Sequence, residues 1–396
     1  MTGVDEQRDE EIQEATRLIQ SENPRERSAA AERLGRLRAG LEQLQVATTD
    51  RNGYVRAAAA AALANFPSEE VALYLGDLLF DPNPYVRSAA VRTLGQIGAS
   101  QYAGTIADMQ DDSNPHIRAE VLRALSNFRA PEAVGVLAEA LADSNRRLRL
   151  DAARGLRRMA DASTLEAMEE ALMETLRQPR PDLPFANTLI QAVGASGTAE
   201  EVGPLLVRLL QEAVGCRTVA ARTLRPLRYE AARASLERAL TDRNPNLRVA
   251  ALQALEELGA EPSLPAIRDL LRDPEVHERV QRAACQVLAK LGDREALPFL
   301  REMVFSANPF LRPRAVEGIA LIDPEGSRGL LIELLGDNNV AVRTAAVEAL
   351  APHKDVAEVR AALERARAEE ITERLRERLE EVLWDRETET SPEAGT

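Results

Sequence analysis

The sequence predicts an all-α fold, a curved α-solenoid of about eleven two-helix repeats. Three observations lead there: one phrase returns at a near-constant spacing, each copy reads as two amphipathic helical stretches, and the interior must be aliphatic. Aromatic residues are only 3% of the 396 positions, while apolar residues reach 45%. A core is therefore available, but it has to be built from Ala, Leu, Val and Ile.

The phrase is Asp-x-Asn-x-x-Val-Arg-x-Ala-Ala-x-x-x-Leu. It reads DRNGYVRAAAAAAL from Asp50, DPNPYVRSAAVRTL from Asp81 and DSNPHIRAEVLRAL from Asp112. Further copies start at Asp143, Asp242 and Asp337, and weaker ones carry Arg27, Arg217 and Arg312 at the Arg position. Arg56, Arg87, Arg118 and Arg149 follow one another at intervals of 31 residues. One degenerate copy, near 163–197 with Pro179, Pro181 and Pro184, has six extra residues and places Ala186 where Arg is expected. Another, from Asp273, has two extra residues and places Gln281 there.

Within a copy the first helix is short, as in EEVALYLGDLLF from Glu69. The second opens with Asn-Pro at Asn83, Asn114, Asn244 and Asn308. Asn caps the free amides and Pro suits the first helical turn, where its missing N–H is no loss. Val86, Ala89, Ala90, Leu94 and Ile97 then form one apolar stripe at helical spacing. A single hairpin of that size cannot bury its stripe alone, so stability must come from stacking on neighbours.

The phrase resembles HEAT-like repeats, in particular the short variety named after phycobilisome lyases. In such repeats the turn Asp and the second-helix Arg tie adjacent copies together. The resemblance therefore implies a structural ladder for Asp50, Arg56, Asp81, Arg87, Asp112, Arg118, Asp143 and Arg149. It implies scaffolding in general and no single task, because one scaffold hosts many functions.

The expected organisation is an acidic segment over 1–14, the solenoid over 15–354, a charged helix over 355–384 and an unstructured tail over 385–396. The charged helix places Leu363, Ile371, Leu375, Leu379 and Leu383 on one side and suits a terminal cap, which a solenoid needs. Docking on a partner is its alternative use.

No catalytic residues are expected. Nucleotide-binding glycine loops, metalloprotease and CxxC motifs and the hydrolase nucleophile elbow are all missing from the sequence. His116, His277 and His353 fall in separate repeats, so no metal or cofactor site is expected. Cys216 and Cys285 sit at small buried positions and fit inert core cysteines. With no long apolar run and an acidic start, neither a membrane span nor a signal peptide is expected, and the reading is cytoplasmic.

The net charge of −14 weighs against nucleic acid, yet its distribution is uneven. Five residues beyond the repeated Arg the column runs Glu32, Ala61, Arg92, Arg123, Arg154, Gln191, Arg222, Gln253, Gln286, Glu317, Glu348. Equivalent positions stack along a solenoid, so Arg92, Arg123, Arg154 and Arg222, reinforced by Arg147, Arg157, Arg158 and Arg225, are expected to form an Arg-rich concave strip. Tyr54, Tyr85 and His116 occupy one column beside it. The expectation is a non-enzymatic adaptor that grips a protein partner with an acidic surface. A bilin-lyase-type role and nucleic-acid binding are the alternatives.

Overall fold

The computed structural model describes residues 3–259, 261–273 and 275–384, and among these every regular element is helical. The helices fall into twelve hairpins within two compact units, divided after Val202. In the first unit the pairs are α1 (Gly3–Leu18) and α2 (Pro24–Leu37), α3 (Leu41–Ala47) and α4 (Gly53–Ala62), and α5 (Glu69–Asp77) and α6 (Pro84–Ile97). They continue as α7 (Ala103–Ala107) and α8 (Pro115–Phe128), α9 (Glu132–Glu139) and α10 (Arg146–Met159), and α11 (Leu165–Arg177) and α12 (Leu183–Ser196).

The helix α13 (Ala199–Glu212) carries the division, and α14 (Arg217–Leu227) belongs to the second unit. There follow α15 (Arg233–Ala239) and α16 (Pro245–Leu258), α17 (Leu264–Arg272) and α18 (Glu278–Lys290), and α19 (Leu297–Met303) and α20 (Arg312–Ile322). The last pairs are α21 (Arg328–Glu333) and α22 (Val340–Leu350), and α23 (Ala357–Glu369) and α24 (Glu373–Trp384).

Seven second helices start with the Asn cap of the phrase, whereas α14 and α20 start at Arg217 and Arg312 with no side-chain cap, so Asn308–Pro309 lies ahead of its helix. Asn83 lies in extended backbone and its side-chain oxygen accepts the Tyr85 N–H, with Pro84 at the first helical position. The cores are aliphatic: Val86, Ala90, Leu94, Ile117 and Leu125 are fully buried. Within the first unit the second helices pack in a continuous row, each on the next, whereas first helices touch chiefly their own partners. Small residues permit that closeness. A Cβ on Gly95 would lie 2.8 Å from the Ala124 Cβ, and one on Gly35 2.7 Å from the Ala62 Cβ.

The ends differ from expectation. The acidic N-terminal stretch is the front of α1, which runs on to Leu18 and packs on α2 as the first half of a hairpin. The charged segment 355–384 is no single helix. It breaks at 370–372 into α23 and α24, a twelfth hairpin. Glu370-Ile371-Thr372 takes the place of Asp-x-Asn, and Arg376, six residues on, donates from Nε to the Glu370 carbonyl oxygen at 3.1 Å. Leu363, Leu375, Leu379 and Leu383 are buried, but Ile371, in the turn, is 88% exposed. Arg343 and Arg376 are 33 residues apart, and that slip of two hides the copy from a fixed 31-residue count. Residues 385–396, expected to be a tail, lie outside the described residues.

Candidate protein-binding face of the second helices

The repeated Asp and Arg build a ladder along the turn edge. Arg56 donates from Nε and Nη2 to the two Asp81 carboxylate oxygens at 2.7 and 2.8 Å, and from Nη1 to the Asp50 carbonyl at 2.7 Å. Each guanidinium thus closes its own turn and holds the next one. The same Asp81 accepts the Asn83 N–H at 2.8 Å, which orients the capping residue. Arg27–Asp50, Arg87–Asp112, Arg118–Asp143, Arg217–Asp242 and Arg312–Asp337 form equivalent pairs. Arg343–Glu370 is another, with Glu370 in the place of Asp. The Arg27 hydrogen bond holds the Asp50 carboxyl below its ordinary range. Arg343 does the same to Glu370, down to about 2.

Four junctions among the described residues lack the pair: two have Ala186 and Gln281 in place of the arginine, and at two, each next to extra residues, the arginine stands without its aspartate. Among the described residues neither Arg149 nor Arg248 has an ion-pair partner. Asp182, 33 residues after Arg149 where most intact rungs have 25, is gripped by Arg146 instead, at 2.5 and 2.8 Å. Arg248 keeps a buried Nε without a hydrogen bond. Gln281 substitutes for the missing arginine by donating to the Asp273 carbonyl at 3.1 Å.

The column expected on the exposed side of the second helices is exposed or half-buried throughout, from Glu32 to Glu348. In the first unit it is strongly basic, with two counter-charges set into it. Glu120 is buried to 7% exposure and accepts from Arg92 of α6 (3.1 Å) and Arg123 of α8 (2.8 Å). Asp151 lies 3.3 Å from Arg154 and 4.0 Å from Arg147. Arg157 meets the neutral Gln191, and Arg158 meets the neutral Asn127 at 3.4 Å. On α6, α8 and α10 four guanidinium groups therefore share two carboxylates, and two more meet neutral amides. The sequence reading missed Glu120 and Asp151. The signal was present, since both replace the alanine two residues after the ladder Arg, as in Ala58, Ala89 and Ala250.

Tyr54, Tyr85 and His116 are exposed near the N-terminal ends of α4, α6 and α8. The Tyr54 and Tyr85 ring centroids are 5.7 Å apart with planes tilted by 32°. Arg222 and Arg225 belong to the second unit, on α14; Arg222 is exposed, and Arg225 with Arg228 shares Glu257 at 3.2 and 3.0 Å. His277 is a helix cap, its Nδ1 accepting the Arg279 N–H at 3.2 Å. Burial raises the Cys216 thiol and pushes the Cys285 thiol up to about 12, so both are poor nucleophiles at neutral pH.

A family model for HEAT repeats matches residues 41–109, 102–182, 214–279, 232–312, 275–351 and 305–384, most of the chain. The chain belongs to the HEAT-repeat family. No curated protein sequence matches it. Among solved structures, the HEAT-repeat stack is similar to Kap95p, described with RanGDP, at 14% identity and a TM-score of 0.62 over 94% of this chain and 59% of that one. An engineered protein matches at 18% identity and a TM-score of 0.48, over 79% of this chain and 98% of that one. Kap121p bound to the SUMO protease Ulp1p matches at 15% identity and 0.49, over 94% of this chain and 44% of that one. This HEAT-repeat chain thus spans under two thirds of either karyopherin. At such identity the likeness concerns the fold. No helix among the described residues is long and apolar enough to cross a membrane.

Proposed function

We propose that this chain is a non-enzymatic scaffold that holds an acidic protein surface on the second helices of its first unit. The observation that supports this most is the charge imbalance on α6, α8 and α10. Among the described residues Arg92, Arg123, Arg147 and Arg154 have only Glu120 and Asp151 as acidic partners, and Arg157 and Arg158 meet neutral amides, in a chain whose net charge is −14. Planar guanidinium groups fixed by a neighbouring carboxylate keep further N–H donors for a carboxylate that arrives from outside. The exposed Tyr54–Tyr85 pair, at the same edge of the row, adds apolar area that suits an interface. The closer packing of the second helices fits the inner side of a curved stack, where a partner meets several repeats at once. Kap95p, of similar fold, is described with a protein, RanGDP.

The test is affinity capture from cells producing the tagged chain, with partners identified by mass spectrometry. Arg123→Glu, Arg154→Glu and Arg158→Glu together should abolish capture of the main partner while the helical circular dichroism is unchanged. Undiminished capture by the triple variant would falsify the proposal. Retention on heparin that falls steeply with salt would instead indicate nucleic acid.

A further inference from the structure

The broken rung at Arg149 is more than a missing contact. The gaps beside three intact rungs are smaller: about 190 Å³ next to Arg118–Asp143, about 200 Å³ next to Arg217–Asp242 and about 480 Å³ beside Asp50 of the Arg27 pair. Between the fifth and sixth hairpins the gap widens to about 650 Å³. The cause is local. The six extra residues extend α11 to 13 residues, against eight in α9, and carry the following turn past its register. Six residues before Ala186, where its own copy would carry the turn aspartate, the chain has Arg180.

Arg149 remains poised. Its Nη1 donates to the Asp143 and Ser144 carbonyls at 2.9 and 3.2 Å, as a ladder arginine should. Its guanidinium carbon stands 5.7 Å from the centroid of the Phe185 ring. No side chain among the described residues hydrogen-bonds its Nε and Nη2 edge, because Arg146 holds both oxygens of Asp182. That edge is the one that grips a carboxylate in Arg27, Arg56, Arg87 and Arg343. The cavity around it has apolar walls from Leu141, Ala171 and Phe185, while Glu170, Glu174 and Arg177 line the α11 side, the last two 3.9 Å apart.

We propose that this cavity is a binding site for a single carboxylate carried on an apolar body, which completes the rung in trans. A bidentate pair with Arg149 supplies orientation, since the fork is already fixed by its own turn and by Phe185. Asp143, Glu170 and Glu174 outnumber Arg149 and Arg177 in the lining, which disfavours a polyanion but tolerates one negative charge neutralised by the Arg149 guanidinium. The carboxylate belongs to a free organic acid or to a Glu or Asp side chain of a peptide. The site is separate from the arginine face proposed above and does not depend on it.

The experiment uses the full chain with 15N-labelled arginine and follows the side-chain Nε–Hε signals during titration. The probes are 4-phenylbutyrate, an end-blocked pentapeptide Ala-Leu-Glu-Ala-Leu, and citrate. At least one of the first two should shift the Arg149 signal saturably, with a Kd on the order of 1 mM for one bidentate pair at a half-open site, and leave Arg118 unmoved. Which of them binds identifies the source of the carboxylate. Arg149→Gln removes the fork, and Ala171→Leu fills the cavity but keeps it; both, followed by saturation-transfer NMR on the probe because the first lacks the Arg149 signal, should weaken binding by about tenfold or more. The proposal fails if neither monocarboxylate moves the signal, if citrate binds as tightly, or if both variants bind as the parent does.

Discussion

The junction between α8 and α10 and the one between α10 and α12 join neighbouring copies of one phrase, yet they are built differently. In the first, Arg118 meets Asp143 and the gap is narrow. In the second, Arg149 loses its aspartate, Arg146 takes Asp182, and a wide cavity opens. Both junctions keep the second-helix packing, with Ala152, Leu156, Leu189 and Ile190 fully buried. The difference teaches that the apolar stripe tolerates inserted residues while the ladder does not. Burial is set by the face of a helix, but a bidentate pair needs the turn to arrive within a few tenths of an ångström.

Removing a ladder acid should therefore matter most at an intact junction. Asp81→Ala leaves Arg56 nearly buried without its partner, and should lower stability by about 3 kcal/mol in chemical denaturation. Asp182→Ala should cost only about 1 kcal/mol, mostly through the lost cap on Phe185, because Arg146 is exposed to solvent. Equal losses at the two sites would remove the distinction between intact and slipped rungs.

Helix spacing gives the next effect. Gly95→Leu drives a side chain into Ala124 and should cost about 2 kcal/mol by overpacking. Gly135→Ala on α9, with no neighbour within 4 Å of its added Cβ, should instead raise stability by about 0.5 kcal/mol. A penalty at both would mean that the first helices are as closely packed as the second, and none at Gly95 that the second-helix contact is not tight.

The last effect is a pH dependence. Glu370 is held by Arg343 at about 2, below its ordinary 4.5. The unfolded chain thus binds more protons than the folded one between these values, so this carboxylate's contribution is complete above about pH 4.5 and is lost as pH falls through about 2. Glu370→Gln should be less stable than the parent near pH 6 and match it near pH 2, by urea denaturation at each pH. Asp293 has the opposite sign, its carboxyl raised chiefly by burial against the pull of Arg268, so it is not expected to share this acid loss. A parent–variant gap that persists to pH 2 would show that Glu370 acts by shape rather than by charge.

Asp81, Asn83 and Arg87 read directly as turn, cap and rung, because all three act over a few residues or one repeat. Glu370 and Arg376 perform the same acts yet escaped the period, since two extra residues and a Glu-Thr replacement disguise the phrase. The basic column was legible in Arg92, Arg123 and Arg154. Its tempering by Glu120 and Asp151 was not, since an acid on a helix looks solvated until its burial is known.

By itself the sequence determined the repeat, its two-helix unit, the aliphatic core and the helix starts, since caps and apolar periodicity are local properties of the chain. Only the tertiary structure decided which arginine holds which acid, and where a rung fails. Those choices turn on distances between copies, and a shift of a few residues in register redirects a guanidinium by a whole helical turn, as from Arg149 to Arg146.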